Sequence, residues 1–320
     1  MDKNKFSTNF ILATAVFFAA AMVIFPDITE SGSKTAIIIW ANSIVPILLP
    51  FFIFADFIKR TGNPEMLPKR VYPFIIAFLS GYPVGAKVVS DLVSSGRLNR
   101  EEAEEVLSYS LVTGPAFIIG TIGAFLGSYK AAGVAAAAHY MGAAVNGLLY
   151  RNPKNHKKKG YDDRTGTEEM RSRRASSASR QATPLENFTA AISAGFKAMA
   201  VILAYLILFM IAIDLLEAAG LFEMINNETV SSVLKGLLEM TAGSNMISLC
   251  NINLSLKTAL ISFIVSFGGL SVVGQSISMT SGSGIRAACI LKIKLTHGLI
   301  TAPALCDCHC GALQIAAALS

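Results

Sequence analysis

The stretch Ser80-Gly81-Tyr82-Pro83-Val84-Gly85-Ala86-Lys87 interrupts an apolar segment that extends from residue 72 to residue 92. Glycine and proline break a helix and free backbone N–H and C=O groups for a ligand. At membrane depth, such backbone is tolerated only where protein or a water-filled cavity surrounds it. The stretch therefore predicts a re-entrant or broken helix at a solute site. Its predicted binding residues are Ser80, Gly81, Tyr82, Pro83, Gly85 and Lys87.

Lys87 gives this stretch a positive charge. The N terminus of the half-helix that follows the break favours an anion, and an ionisable residue inside a membrane segment indicates function. A lysine near the membrane interface also extends its ammonium group towards water. We predict that Lys87 contacts a bound anion, with an interfacial lysine as the alternative.

The composition indicates a membrane protein. The chain has 320 residues, of which 53% are hydrophobic and 15% are charged, and its mean hydropathy is +0.54. Soluble domains carry roughly 25% charged residues, so lipid must solvate much of this surface. A spanning helix needs about 20 mostly apolar residues. Candidate spans lie at residues 8–26, 36–58, 105–127, 130–150, 192–217, 257–280 and 287–305.

A second interrupted apolar piece lies at residues 230–250. The sequence therefore predicts an all-α integral membrane protein with about 7–8 transmembrane helices and two re-entrant or broken segments, at 72–92 and 230–250. The apolar run from Phe10 to Phe25 follows Lys3 and Lys5 and fits either a signal peptide or a first span. Because further apolar segments follow, we favour an uncleaved span.

Positive charge is concentrated in one tract. The net charge is +6, and residues 151–180 hold ten Lys or Arg against four Asp or Glu. A basic tract between apolar segments is typical of the cytoplasmic side of a membrane protein, and few large apolar residues predict disorder. We expect a cytoplasmic N terminus and a cytoplasmic linker. The expected partners are the lipid bilayer and a small-molecule solute, and not nucleic acid.

Two halves of the chain share a pattern. Asp56 and Asp214 each end an apolar span and are each followed by a glycine six positions later. The offset, 214 − 56 = 158, also places Gly85 on Gly243. The halves start from opposite sides of the membrane, which predicts an inverted repeat, a transporter architecture. A chance alignment of two glycine-interrupted halves is the alternative.

The predicted organisation has five parts. An N-terminal transmembrane anchor, a first repeat, a basic linker, a second repeat and a Cys-rich tail occupy residues 1–35, 36–150, 151–190, 191–305 and 306–320.

Three further polar interruptions complete the predicted site. Pro115 removes a helical hydrogen bond, a carboxylate stands beside hydroxyl groups near residue 240, and Ser271 and Gln275 share one helix face. An ordinary proline kink, a solvated loop and close helix packing through glycines are the respective alternatives. The predicted binding residues here are Thr113, Gly114, Pro115, Glu239, Thr241, Gly243, Gly268, Gly269, Ser271 and Gln275.

Asp56 and Asp214 are candidate ligands for a coupling ion, although residues near span ends are more often solvated or capping. The cluster Cys306, Cys308, His309 and Cys310 is spaced too tightly for a usual structural zinc site, so we predict no metal and no cofactor. No Walker A motif, G-x-S-x-G elbow, H-E-x-x-H helix or dinucleotide fingerprint is present. We therefore do not expect an enzyme.

Several of these runs resemble the YlbJ family of sporulation integral membrane proteins. That family is part of a wider group with a nucleoside-recognition or gate domain, which is similar to concentrative nucleoside transporters. The resemblance covers about residues 36–150 and 190–300. It is carried by Leu48–Asp56, Leu79–Lys87, Thr113–Gly120, Leu238–Gly243 and Ser266–Val272. The tail after Pro303 departs from the family pattern and leaves the C-terminal topology open.

The resemblance implies a spore-forming bacterium and a location in the cell membrane or the outer forespore membrane. It also implies a role in passing dipicolinic acid towards the forespore. Lys87 and the hydroxyls of Ser80 and Thr113 would suit the two carboxylates of that substrate, and Tyr82 could stack on its ring. A nucleoside would instead use Tyr82, Gln275 and Glu239.

We therefore expect a transporter of a small anionic solute, working by alternating access. A nucleoside or other organic-solute carrier is the first alternative, and a non-transporting sporulation scaffold is the second. A homo-oligomer or partner proteins of the sporulation membrane are further expectations.

Overall fold

The structure is a computed structural model that describes the backbone of residues 3–61, 67–152 and 183–318. Side chains are described for residues 12–61, 67–152 and 183–302. These ranges are helical and contain no strand, so the prediction of an all-α chain is confirmed for them. Most of the basic linker and the cluster Cys306, Cys308, His309 and Cys310 lie outside the described side chains.

Two long stretches of helices make up the chain. The first contains α1 (Lys3–Ile24), α2 (Pro26–Thr61), α3 (Tyr72–Ser80), α4 (Val84–Ser94), α5 (Arg100–Ser110), α6 (Ala116–Leu126) and α7 (Tyr129–Leu149). The second contains α8 (Pro184–Ala218), α9 (Glu228–Leu238), α10 (Met240–Leu249), α11 (Leu254–Phe267), α12 (Gly269–Met279) and α13 (Ala287–Ala318).

Local sequence explains where several helices begin. Asn99 and Glu102 form a reciprocal capping box at the start of α5, with Glu102 N–H donating to Asn99 Oδ1 over 2.8 Å. Thr183 and Glu186 do the same at the start of α8. Such caps satisfy backbone N–H groups that have no partner within the helix.

Three helices of the described chain are long and apolar enough to cross a membrane: α2, α8 and the joined pair α11–α12, Leu254–Met279. Shorter apolar helices lie at Leu12–Ile24 and Ala116–Leu126. Only 11% of the most apolar window of α2 is buried against the rest of the chain, whereas 72% of the α11–α12 window is buried. Lipid therefore has access to α2, and α11–α12 forms the interior. The predicted number of spans stays a prediction.

The segments 72–92 and 230–250 each fold back as a helical hairpin. A Cβ added to Gly85 of α4 would lie 2.8 Å from the Cβ of Ala77 in α3, although eight positions separate these residues. A Cβ on Gly243 of α10 would collide with the backbone of Gly236 in α9. Gly243 is thus required by the crossing of its hairpin arms, and Gly85 also lies against the Ser110 carbonyl of α5.

The interrupted helices stand beside these hairpins. The predicted span 105–127 is split between α5 and α6, and the predicted span 257–280 is split at Gly268 between α11 and α12. The long helices α2 and α8 pack against each other, and α13 packs against α7 and α11. α2 also contains a π-helical turn at Trp40–Ile44, and the Trp40 indole N–H donates to the Met199 carbonyl of α8 over 3.0 Å.

Candidate functional site

The turn between α3 and α4 touches the break between α5 and α6. Gly81 has φ +66, which favours glycine, and a Cβ there would lie 3.0 Å from the Gly114 nitrogen. The Tyr82–Pro83 peptide bond is cis. The first half therefore brings its two helix interruptions together at backbone distance.

Side chains of α7 satisfy the backbone that the α5–α6 break exposes. The Thr113 N–H donates to Nε2 of His139 over 3.0 Å, and the Thr113 carbonyl accepts from the Tyr140 hydroxyl over 2.8 Å. Because Nε2 accepts, the ring proton lies on Nδ1, which donates to the Ser266 hydroxyl over 2.8 Å. His139 thus links the first break to α11 of the second half as a neutral imidazole.

The second half repeats this contact between two breaks. Gly269, at φ +68, starts α12, and a Cβ there would lie 2.9 Å from the Met240 nitrogen at the start of α10. Glu239 forms the turn between α9 and α10, and its Oε2 accepts from the Ala242 N–H over 2.7 Å. Its Oε1 accepts from the Ser271 hydroxyl over 3.4 Å. The carboxylate thus caps α10 and connects it to α12.

A cavity of about 60 Å³ lies where these breaks meet. A single water needs roughly 10–15 Å³ of such a cavity, so this one has room for a few waters. Its apolar wall comes from α2 and α8, and includes Phe51, Phe52 and Tyr205. Seven predicted site residues also line it: Gly81, Tyr82, Thr113, Gly114, Glu239, Thr241 and Gln275.

Comparison with known proteins gives one relative along nearly the whole chain. The "Sporulation integral membrane protein YlbJ" of Bacillus subtilis (strain 168) is 25% identical over 94% of this chain and 83% of its own length. The chain is thus similar to a sporulation membrane protein along nearly its whole length. The resemblance predicted from the sequence motifs is therefore confirmed. No protein-family model matches the chain, and no solved structure matches it.

Other predicted site residues lie behind the cavity wall. Ser80, Pro83, Gly85, Pro115, Gly243, Gly268, Gly269 and Ser271 belong to the hairpins or breaks but do not line the cavity. The backbone geometry explains the four glycines among them. Gly85 and Gly243 allow the hairpin arms to cross, and Gly268 and Gly269 have φ values of +88 and +68. Their predicted contact with solute stays a prediction.

Lys87 is not brought to the cavity. Its neighbours Ala86, Val88 and Val89 are buried, but Lys87 lies on the exposed face of α4. Its ammonium pairs with Asp91 over 2.6 Å, one helical turn further along, and both side chains are more than half exposed. The Lys87 ammonium therefore pairs with a carboxylate of its own helix and not with a group at the cavity.

The two aspartates proposed as ion ligands also lie away from the cavity. Asp56 pairs with Lys59 and Arg60, each over 2.5 Å, near the end of α2. Asp214 lies where α8 packs on α2, with Oδ2 2.7 Å from the position of a Cβ on Gly32. Neither aspartate lines the cavity.

Sequence reasoning missed Lys294, which is fully buried in α13. Its ammonium nitrogen donates to the Tyr82 hydroxyl and to the Leu111 carbonyl, the latter over 3.2 Å. The nitrogen also lies 4.0 Å from the centroid of the Tyr82 ring. The signal was available, because Lys294 falls inside the apolar segment 287–305, where a lysine indicates function.

Proposed function

We propose that this protein is a membrane carrier for a small organic anion, dipicolinate during sporulation, and that it works by alternating access. The observation that carries the proposal is the cavity at which four helix interruptions meet, two from each half of the chain. Carriers place their substrate sites where such discontinuous helices meet. A chain that only scaffolds other proteins has no need for this arrangement.

The inverted repeat is part of this proposal. Each half has a long apolar helix, a helical hairpin, an interrupted helix and a further long helix: α2 to α7 in the first, α8 to α13 in the second. In each half, the hairpin turn touches the interruption of the next helix through a glycine, Gly81 in one and Gly269 in the other. This correspondence supports two related halves that rock around one site.

The electrostatics of the cavity support an anionic solute. The first turns of α6 and α10 line the cavity through Ala116, Phe117, Met240 and Thr241. Helix N termini carry partial positive charge and favour anions. The N terminus of α10 already holds the Glu239 carboxylate, so the N terminus of α6 is the one that suits a carboxylate of the solute.

The identity of the anion is inferred from the relative and from ring chemistry. The relative's name supports a membrane role in sporulation, and the family resemblance implies dipicolinate. Its pyridine ring suits the aromatic wall of Tyr82, Phe51 and Tyr205. A planar ring needs more room than this cavity offers, so we expect the α2–α8 wall to move apart in the loaded state.

Uptake by proteoliposomes tests the proposal. Purified full-length protein is reconstituted, and uptake of labelled dipicolinate is compared with uptake of labelled uridine and with protein-free liposomes. We expect saturable dipicolinate uptake that unlabelled dipicolinate inhibits. Uptake of uridine alone would overturn the anion assignment.

The second candidate, a nucleoside carrier, has one observation in its favour. The Gln275 side chain lines the cavity and makes no hydrogen bond to any part of the chain that the structure describes. A free amide beside Glu239 suits the edge of a neutral base. If folded protein transports neither solute, the scaffold becomes the better account, with partner proteins or a second copy to be identified by crosslinking in membranes.

A further inference from the structure

We propose that Lys294 takes up a proton when an anion enters the cavity, so that this carrier moves the anion and a proton together. The inference rests on the proposed function and adds the coupling group and the coupling ion to it. Asp56 and Asp214, the sequence-based candidates for that role, already have other partners or lie away from the cavity.

Among the side chains that the structure describes, none supplies a counter-charge that bonds to Lys294. Within the described side chains, no carboxylate bonds to its nitrogen, and the titratable groups that face it are Tyr82 from the α3–α4 turn, His139 from α7 and His297 from α13 itself. The nearby carboxylate of α5, Glu105, is held by Arg70 over 2.8 Å. An ammonium buried without an anion is strongly unfavourable.

The hydrogen bonds of Lys294 match an uncharged amine. A neutral amine has two N–H donors, and the two acceptors present are the Tyr82 hydroxyl and the Leu111 carbonyl. The Tyr82 hydroxyl can direct its own proton to the Val265 carbonyl, 3.5 Å away. The face of the Tyr82 ring, 4.0 Å from Nζ, is the group here that favours a positive charge. The contacts of Nζ therefore suit the uncharged amine, and the Tyr82 ring is the group that would support the charged form.

The cavity can alter that balance. Tyr82 lines the cavity and contacts Lys294, so the amine lies one side chain behind the wall. A carboxylate in the cavity would favour the ammonium form, because an opposite charge stabilises the charged state of a group in a low-dielectric site. For this step the Tyr82 hydroxyl rotates away from the Val265 carbonyl, gives its proton to the lone pair of Nζ and takes one proton in turn from water in the cavity. The same proton leaves when the anion departs.

Glu239 is the rival for this role, since its carboxylate is buried and lines the same cavity. It accepts hydrogen bonds from the Ala242 N–H and the Ser271 hydroxyl. Both donors stabilise the ionised carboxylate. Glu239 thus has two hydrogen-bond donors for its carboxylate, whereas Nζ of Lys294 contacts no anion among the described side chains, and the geometry assigns the variable charge to Lys294.

The test counts protons taken up on binding. Full-length protein in nanodiscs is titrated with dipicolinate by calorimetry at neutral pH, in two buffers with different ionisation enthalpies. We expect about one proton taken up per dipicolinate for the wild type. In that case the apparent Kd for dipicolinate rises about tenfold per pH unit at those pH values where Lys294 of the unliganded protein is uncharged. For Lys294→Gln we expect no proton uptake and a flat pH profile.

Lys235 supplies the matched control. It is also largely buried and lies 5.0 Å from an aromatic centroid, that of Phe222, but its ammonium pairs with Glu217 over 2.8 Å. Because Lys235 has its own counter-charge, Lys235→Gln should leave the proton count of the wild type unchanged.

The outcomes separate this inference from the proposed function. Dipicolinate binding to the wild type without proton uptake overturns the inference and leaves the carrier assignment in place. Absence of any binding or uptake of dipicolinate by folded wild-type protein overturns both. Proton uptake that persists in Lys294→Gln and disappears in Glu239→Gln assigns the proton to the carboxylate. The wild-type measurements decide the first two outcomes even if Lys294→Gln does not fold.

Discussion

The hairpin turn at Gly81–Pro83 and the hairpin turn at Glu239 have the same place in their halves of the chain but carry opposite chemistry. The first presents a tyrosine backed by the buried Lys294, and the second presents a carboxylate. In both, a glycine allows the turn to touch the next helix break. The two halves thus share their backbone geometry but not their charge. A solute in the cavity would therefore contact a tyrosine with a lysine behind it on one side and a carboxylate on the other.

We expect the most severe effect on folding from a substitution that blocks the close helix crossing in one hairpin. Gly243→Val places a branched side chain against the backbone of Gly236, which has no room to move away. We expect loss of folded protein, measured as loss of the monodisperse peak in size-exclusion chromatography. Gly274→Ala is the control, since a Cβ there meets nothing within 4 Å. A folded Gly243→Val protein would show that the α9–α10 hairpin is not as tightly crossed as described.

Tyr82→Phe tests the chemistry of the first turn. The change removes the hydroxyl that accepts from Lys294 and keeps the ring on the cavity wall. Loss of a hydrogen bond of this kind costs about 1–3 kcal/mol, so we expect dipicolinate uptake to fall roughly 5-fold to 100-fold. Initial rates in proteoliposomes measure it. Tyr129→Phe, at an exposed position, should keep the wild-type rate; equal rates for both variants would remove the Tyr82 hydroxyl from the mechanism.

A pair of changes compares how the two breaks are held. His139→Leu leaves the buried Thr113 N–H without its acceptor, at a cost of about 1–3 kcal/mol. Ser271→Ala removes a longer bond of 3.4 Å to Glu239, so its cost should be smaller. Thermal unfolding of the two purified variants measures the difference. A larger loss for Ser271→Ala would mean that the second break depends more on side chains than the first.

The smallest effect is expected for Lys87→Ala. Both side chains of the Lys87–Asp91 pair are more than half exposed, and exposed ion pairs contribute little. We expect dipicolinate uptake within twofold of the wild type, from initial rates normalised to inserted protein. A large loss would return Lys87 to the site and favour the sequence-based hypothesis over the geometry.

Much of the framework could be predicted because its signals are local. The glycines and prolines near Gly81 and Thr113 and the polar run at Glu239 mark helix breaks within a few residues of sequence, and the structure joins these breaks at one cavity. The sequence alone could not show which of its lysines is buried beside the cavity wall. Lys87 and Lys294 both lie in apolar segments, and their difference depends on which helix face packs against distant parts of the chain.

Which side chains of α2 face the cavity depends on the number of residues in the helix as well as on their types. The π turn at Trp40–Ile44 inserts one residue relative to a regular helix, so every later side chain is rotated by about 100° from the position that a regular helix would give it. Leu48, Phe51 and Phe52 follow this turn and face the cavity. A single-residue deletion inside the π turn would keep the apolar composition of α2 and yet rotate these three side chains off the wall. Insertions and deletions in this helix are therefore a more severe change to the cavity than most apolar substitutions.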